Sequence, residues 1–73
     1  MSKDVDYKDL IWRDGLYYEK FSNEPFTGTS TGMTQGKIIN GKEVGEWLVY
    51  DENGQLWRTE IYKDDKLIDT IKH

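Results

Sequence analysis

The chain lacks cysteine, has a single proline and a single histidine, and contains no long hydrophobic run. Without cysteine there is no disulfide framework, no thiolate-bound zinc or iron–sulfur site and no thiol nucleophile. The one histidine is His73, so a histidine-based catalytic or metal site has almost nothing to be built from. No apolar run approaches the ~18 residues of a membrane-spanning helix, and the first residues lack the apolar segment of a signal peptide. We therefore expect a cytoplasmic protein with no membrane association, no metal and no cofactor.

Basic residues are also outnumbered. Ten Lys and Arg face fourteen Asp and Glu, which gives a formal net charge of −4 at pH 7. An acidic balance disfavours non-specific binding to nucleic acid or to anionic lipid. Aromatic side chains that stack on bases are normally accompanied by interleaved Arg and Lys, which are sparse here. We expect no nucleic-acid partner, and the charge favours either ordinary solvation or a protein partner with a basic surface.

Two segments begin like ligand-binding motifs but depart from them. The spacing of Gly32, Gly36 and Lys37 is one residue short of a phosphate-binding loop, and Ile38 stands where a Ser or Thr would bind magnesium. Segment 51–54 begins like a calcium loop, but its glycine comes too early and no ligating Glu follows at the twelfth position. With no catalytic motif present, we expect a protein that is not an enzyme.

Turn-forming dipeptides divide the chain into short stretches. Asp14-Gly15, Asn40-Gly41 and Asn53-Gly54 favour tight reverse turns, because both positions tolerate positive φ. The stretches between them are rich in β-branched and aromatic residues, which predicts an all-β, mainly antiparallel fold, a small curved meander of β-hairpins. The predicted strands are Leu10–Arg13, Leu16–Phe21, Phe26–Thr31, Gly36–Ile39, Glu46–Asp51, Gln55–Lys63 and Lys66–Ile71.

The N-terminal segment has a different character. Residues 1–9 are mostly charged, and we expect them to be loosely ordered. The only helix candidate is Ser2–Trp12, with Ser2 as its N-cap. The predicted organisation is therefore a charged segment, 1–9, followed by a single small β domain, 10–73.

The hairpin Glu46–Tyr62 has two alternative registers. A two-residue turn at Asn53-Gly54 places Tyr50 opposite Trp57, whereas a longer turn with a bulge shifts the pairing by one residue. In either case the turn chemistry requires positive φ at the glycine. Large apolar groups lie on both faces, and so small a chain can cover only one of them. We expect Tyr50 and Trp57 in the core, because their cross-strand pairing gives the denser cluster, and Trp47 as an exposed binding anchor.

The chain repeats itself weakly at an offset of 24 residues. Segments 38–47 and 62–71 share the same order of apolar, turn, lysine and apolar positions, with Lys42 matching Lys66. Such a period suits a β-hairpin unit that stacks on the next. The second copy replaces both glycines of the first with aspartates, as expected of a polar capping unit.

Residues 45–56, which read GEWLVYDENGQL, and the following segment 62–66 resemble the bacterial variant of the MORN repeat. In that variant a Trp, a Tyr, an Asn-Gly turn and a Leu recur in each unit, and the stretch 13–28 is similar to the lead-in of such proteins. The resemblance implies about one and a half units, hence a compact curved sheet rather than a long solenoid. Bacterial proteins of this kind are often labelled antitoxin-like, and eukaryotic MORN proteins are associated with membranes and scaffolding.

Two classes of function follow from these observations. A protein-binding module needs only a compact acidic body and an aromatic patch; an antitoxin, an immunity protein or a phage-encoded inhibitor of a host defence system would neutralise its partner in this way. The alternative is a structural or scaffolding unit that self-associates through its sheet, and this alternative predicts a homo-oligomer. The partner-binding residues that we predict, as aromatic and charged anchors, are Tyr17, Glu46, Trp47, Arg58 and Glu60.

Overall fold

The structure is a computed structural model, and it describes residues 3–73. This range contains eight β-strands and one 3₁₀ turn, Tyr7–Asp9. The prediction of an all-β, mainly antiparallel fold is confirmed, and each predicted strand overlaps an observed one. The strands are β1 (Lys3–Asp6), β2 (Leu10–Arg13), β3 (Leu16–Glu19), β4 (Gly28–Thr31), β5 (Thr34–Ile39), β6 (Lys42–Tyr50), β7 (Leu56–Lys63) and β8 (Lys66–Lys72).

Six of the strands form the main sheet, in the order β1-β4-β5-β6-β7-β8. From β4 to β8 each strand runs antiparallel to the next, so this part is a meander of hairpins. β1 joins β4 in parallel. β2 and β3 form a separate antiparallel pair. The main sheet therefore has two edge strands among the described residues, β1 and β8.

The tight turns have the backbone conformation that their residues favour. Both residues have positive φ at Asn40-Gly41 (50° and 80°) and at Asp14-Gly15 (52° and 81°). Gly54 has φ 79°, which confirms the expected positive φ. The β7–β8 turn has the same conformation without any glycine, since Asp64-Asp65 has φ 49° and 69°. Aspartate enters this left-handed region more readily than most residues, because its short polar side chain can hydrogen-bond locally.

The N-terminal segment differs from its prediction. Lys3–Asp6 is β1, and Val5 and Tyr7 pack against the hydrophobic core. Residues 3–9 thus belong to the β domain, because they bury apolar surface and pair with β4. The helix predicted over Ser2–Trp12 is wrong: its part within residues 3–73 is strand and 3₁₀ turn, and its N-cap Ser2 lies outside the described residues. No helix within residues 3–73 has the length and apolar character to cross a membrane.

The β6–β7 hairpin combines the two predicted registers. From Gly45 opposite Tyr62 to Val49 opposite Arg58, the pairing is that of the two-residue turn. Beyond that point the register shifts by one residue at a bulge, and Tyr50 lies opposite Leu56.

The bulge follows from the turn that Asp51 organises. The Asp51 carboxylate accepts the N–H groups of Asn53 (2.9 Å) and Gln55 (3.0 Å), and its carbonyl accepts the N–H of Gly54 (3.0 Å). One aspartate thereby accepts three N–H groups of the turn through its side chain and its carbonyl. The longer turn results, and Trp57 is left at the bulge.

The core lies on the face of the main sheet that carries Trp47, which we call the inner face. The buried apolar residues are Tyr17, Phe26, Ile38 and Trp47. The β2–β3 hairpin supplies Tyr17, and the 3₁₀ turn supplies Tyr7, whose ring meets Trp47 edge-on at 6.1 Å between centroids. A Cβ at Gly36 would run into the indole, so Trp47 packs directly on the backbone of β5.

This arrangement reverses our assignment of the two tryptophans. Trp47 is 0% exposed, whereas Trp57 is 50% exposed and Tyr50 is half-buried. The prediction of Tyr50 and Trp57 as core and Trp47 as surface is wrong. The physical reason is that the β2–β3 hairpin covers the Trp47 face, and nothing within segment 46–62 indicates which face a distant hairpin will cover.

Candidate protein-binding surface

β8 is the last strand of the main sheet, and all seven of its residues are exposed. It pairs with β7 on one side, and no strand of the described chain lies on its other side. Such an edge presents unpaired backbone N–H and C=O groups, to which an extended segment of another chain can hydrogen-bond.

The β7–β8 hairpin combines this open edge with exposed apolar side chains. Trp57, Leu67, Ile68 and Ile71 are between 47% and 60% exposed. We call these four residues and the free backbone edge of β8 the β8 edge surface. Large apolar groups gathered in one exposed region of a small protein commonly mark an interaction site.

The strand register distributes the apolar groups of β8 over both faces. Ile71 lies opposite Thr59, on the outer face, which is the face opposite Trp47. Leu67 lies opposite Tyr62 on the inner face, and Ile68 lies in the bulge that follows. A strand added at β8 would therefore find apolar neighbours on either face, and such cross-strand pairs are what stabilise sheets.

The end of β8 is held firmly against β7. The His73 N–H donates to the Trp57 carbonyl (3.0 Å), and His73 Nε2 lies 2.9 Å from the hydroxyl of the buried Thr59. The Arg58 guanidinium lies 4.5 Å from the centroid of the Trp57 ring, which restrains that ring by a cation–π contact. Ordering of this kind before binding reduces the entropy that binding would cost.

Charge is distributed unevenly between this hairpin and the rest of the chain. Lys66 and Lys72 stand at the two ends of β8, with Asp69 between them. Segment 58–72 contains as many basic as acidic side chains, so the net charge of −4 belongs to the remainder of the chain. The β8 edge surface is thus a neutral, apolar region attached to an acidic body.

Two of the predicted partner-binding residues lie in the core. Trp47 is fully buried and Tyr17 is 9% exposed, and the ring of Tyr7 contacts both. The prediction that Trp47 is an exposed anchor is wrong, and Tyr17 is equally out of a partner's reach in this structure. Both side chains instead join the β2–β3 hairpin to the main sheet.

The three charged residues among the predicted ones fall in different places. Glu46 is exposed on the outer face, opposite Ile61. Glu60 is on the inner face, and its Oε2 lies 3.3 Å from Arg58 Nε. That distance brings the charges together without hydrogen-bond alignment, since Arg58 Nε has no hydrogen-bond partner within residues 3–73. Arg58 joins the β8 edge surface through Trp57, whereas Glu46 and Glu60 stand apart from it.

Sequence reasoning missed the apolar residues of β8 as surface groups. The signal was present in the sequence KLIDTIK. In a regular strand Leu67 and Ile71 point to one face and Ile68 to the other, so no single face could bury all three. It also missed Trp12 of β2, which is 54% exposed although its ring packs on Tyr17 at 4.8 Å.

A group of titratable side chains surrounds Glu43 on the inner face. Burial above all, and then the carboxylates of Asp65 and Glu60, raise the pKa of Glu43 from 4.5 to about 7, while a hydrogen bond with Tyr17 opposes them. The Glu43 N–H donates to Asp65 Oδ1 (3.2 Å), and the Asp65 N–H donates to the Glu43 carbonyl (3.0 Å). These two hydrogen bonds tie the β7–β8 turn to β6.

The tyrosines of this group are perturbed as well. The hydroxyls of Tyr7 and Tyr17 are 2.7 Å apart. Burial, the hydrogen bond with Tyr7 and the nearby Glu43 carboxyl together raise the pKa of Tyr17 well above its usual value, and burial with Glu43 raises the pKa of Tyr62 to about 12. Both hydroxyls therefore stay protonated at neutral pH and act as uncharged members of the core.

A groove of about 450 Å³ lies on the opposite, outer face. Gly36 and Gly45 are among its lining residues, and its charged groups are Lys37 and Glu46. A carboxyl that titrates near neutrality can serve in acid–base catalysis, but Glu43 is on the other face of the sheet from this groove. Across residues 3–73, no three acidic or histidine side chains gather closely enough to hold a metal ion.

Comparisons with known proteins identify no relative of this chain. No protein-family model matches the chain, and neither the curated proteins nor the solved structures contain a match. The resemblance to the bacterial MORN variant stays a prediction from the residues.

Proposed function

We propose that this protein is a non-enzymatic binding module that attaches to a partner protein through the β8 edge surface. The observation that carries the proposal is the combination, on one strand, of a free backbone edge with Leu67, Ile68 and Ile71 exposed around it. In this mode an extended segment of the partner adds a strand to the sheet, main-chain hydrogen bonds supply affinity and side-chain contacts supply specificity.

The partner that fits best has a basic surface around the segment that docks. The net charge of −4 lies outside the β7–β8 hairpin, so the acidic body would attract cationic groups beside the apolar contact. Charge of this kind speeds association and excludes wrong partners more than it adds affinity. The same acidic body disfavours nucleic acid and anionic membranes as partners.

The resemblance to antitoxin-like MORN proteins favours one biological class for this module. It is an antitoxin, immunity protein or phage-encoded inhibitor that neutralises a toxin or a defence protein by direct binding. Such a role needs no cofactor and places the protein in the cytoplasm with its target.

The test compares two isoleucine variants of similar exposure. Ile68→Lys alters the β8 edge surface, and Ile39→Lys alters an exposed residue of β5 (60% and 51% exposed, respectively). Partners are captured with tagged chains from cells that express the gene, and their affinity is then measured by calorimetry. We expect Ile68→Lys to weaken binding by about 2 kcal/mol or more, roughly 30-fold, and Ile39→Lys to leave it unchanged. Equal affinity of both variants would exclude β8 as the docking edge.

The alternative function is a scaffolding unit that self-associates, and the same open edge favours it. A second copy could pair with β8 in place of a foreign segment. One feature opposes this more than it opposes a foreign segment: in an antiparallel pair of copies centred on Asp69, Lys66 would face Lys72 and Asp69 would face its own copy, and like charges directly opposite are destabilising. Sedimentation velocity at several concentrations decides the matter. A wild-type chain that dimerises while Ile68→Lys stays monomeric would favour the scaffold.

A further inference from the structure

The chain contains two Asn-Gly dipeptides in turns, and the fold holds them very differently. Asn-Gly is the sequence at which spontaneous deamidation is easiest, since the glycine amide meets no side chain that hinders its attack on the asparagine. The two sites, Asn40-Gly41 and Asn53-Gly54, share this local chemistry. A difference between their native rates that disappears on unfolding must therefore come from the structure around them.

The first site, Asn40-Gly41, is held by hydrogen bonds to other segments of the chain. The Gly41 N–H donates to the Phe26 carbonyl (2.7 Å), and the Gly41 carbonyl accepts the Tyr17 N–H (2.9 Å). The Asn40 N–H donates to Thr27 Oγ1 (2.9 Å). Gly41 is buried. Freeing its nitrogen for attack requires breaking the hydrogen bond to Phe26, a buried core residue of another segment.

The second site is held by its own turn alone. The Gly54 N–H and the Asn53 N–H both bond to Asp51, three and two residues earlier in the chain. Both residues are exposed, and a Cβ at Gly54 would meet nothing within 4 Å. Local hydrogen bonds in an exposed turn open at little free-energy cost, whereas tertiary contacts open only with the unit they belong to.

We infer that Asn53 is a site of spontaneous deamidation in the folded protein and that Asn40 is protected from it. The Gly54 backbone nitrogen loses its proton and attacks Asn53 Cγ. A C–N bond forms, the Cγ–Nδ2 bond breaks, and ammonia leaves. Water then opens the resulting succinimide at either carbonyl, which gives aspartate or isoaspartate at position 53.

The product changes the hairpin that carries the binding edge. One negative charge is added to the chain's −4, beside Asp51 and Glu52. Isoaspartate also inserts the side-chain methylene into the backbone of the turn that sets the bulge at Trp57. The modification does not depend on the proposed function, because it follows from the two turns alone.

Tryptic peptides separate the two sites, since cleavage at Lys37, Lys42 and Arg58 yields 38–42 and 43–58. The native chain is incubated in mildly alkaline buffer, where amide deprotonation speeds the attack, and each peptide is followed by mass spectrometry. A parallel sample is incubated in urea, and a synthetic isoaspartate form of peptide 43–58 serves as the standard. We expect deamidation at Asn53 to be about ten-fold faster or more than at Asn40 in the native chain, and the two rates to become similar in urea.

Three results would overturn the inference. They are equal native rates, a ratio that persists unchanged in urea, and a native chain in which neither site reacts while both react in urea. The comparison uses the wild-type chain throughout, so no variant needs to fold.

Discussion

The two copies of the internal repeat have equivalent turns and opposite surroundings. Both turns, Asn40-Gly41 and Asp64-Asp65, have positive φ at each residue, and each is followed by the lysine that begins the next strand. In the first copy Ile38 and Trp47 are 0% exposed, whereas in the second Ile71, the counterpart of Trp47, is half exposed. The first copy lies under the β2–β3 hairpin and the second lies at the sheet edge. The turns are thus equivalent, but the bulge at Ile68 places Ile71 on the outer face, and a distant hairpin covers only the inner face, on which Trp47 lies.

The largest contrast is expected between the counterparts Trp47 and Ile71. Trp47→Ala removes the central ring of the core and should cost about 3–5 kcal/mol of unfolding free energy. Ile71→Ala removes a half-exposed group and should cost about 1 kcal/mol or less. Urea unfolding followed by circular dichroism measures both, and Trp47→Phe serves as the milder core variant if the alanine chain does not fold. Costs within about 1 kcal/mol of each other would contradict the difference in burial.

A second contrast separates burial from backbone strain at two glycines of nearly equal φ, Gly41 (80°) and Gly54 (79°). Alanine at either position has to adopt the left-handed region, at about 1 kcal/mol. At Gly41 its Cβ would also stand 2.8 Å from the Leu16 Cβ, which is too close without movement of β3. We expect Gly41→Ala to cost about 2–3 kcal/mol and Gly54→Ala about 1 kcal/mol, measured as shifts of the urea midpoint. A Gly54→Ala chain that is the less stable of the two would show that Gly41 is not held as described.

The contact between the two copies is expected to make stability depend on pH. The pKa of Glu43 is about 7 in the folded chain, against 4.5 for a glutamate carboxyl that is free in solvent, as in the unfolded chain. Between these values the unfolded chain has lost the proton that the folded chain keeps, so stability falls as pH rises from about 4.5 to about 7 and then levels off. After allowance for solvent screening the fall should be about 1 kcal/mol.

Glu43→Gln removes this titration and keeps the shape of the side chain. Its unfolding free energy should be flatter over the same pH window, and it should exceed that of the wild type at neutral pH. Asp69→Asn, which changes an exposed acid of β8 away from Glu43, is the matched control and should keep the wild-type slope. A Glu43→Gln chain with the same pH slope as the wild type would refute the raised pKa.

The smallest effect concerns the first residue of each turn. Asp64→Asn places in the second copy the residue found in the first, which favours positive φ and removes a charge beside Asp65. We expect a gain of about 0.3 kcal/mol, within the range of surface substitutions. The reciprocal Asn40→Asp should lose a similar amount. Thermal melting of both variants against the wild type checks the signs, and a loss in Asp64→Asn would show that the aspartate is preferred for its charge.

The turns and most strands could be predicted because their signals are local. Asn-Gly and Asp-Gly specify positive φ within two residues, and β-branched and aromatic runs specify strands between them. β1 could not be predicted, because its parallel pairing with β4 joins segments that are far apart in the sequence. The sequence did not decide whether the β6–β7 hairpin contains a bulge, because two registers fitted the same pattern. The Asp51 hydrogen bonds selected between them.

The candidate site was harder to predict than the fold. Large apolar groups on both faces of segment 46–62 indicated that one face of the hairpin would stay uncovered, but not which face.

The sequence by itself determined a β meander with left-handed turns, an acidic charge and more large apolar groups than one face can hold. Only the tertiary structure decided that Trp47 is core and that Ile71 and Trp57 are exposed. A side chain's burial depends on which distant segment covers it, and that choice is made by the packing of the β2–β3 hairpin and Tyr7 on one face of the sheet.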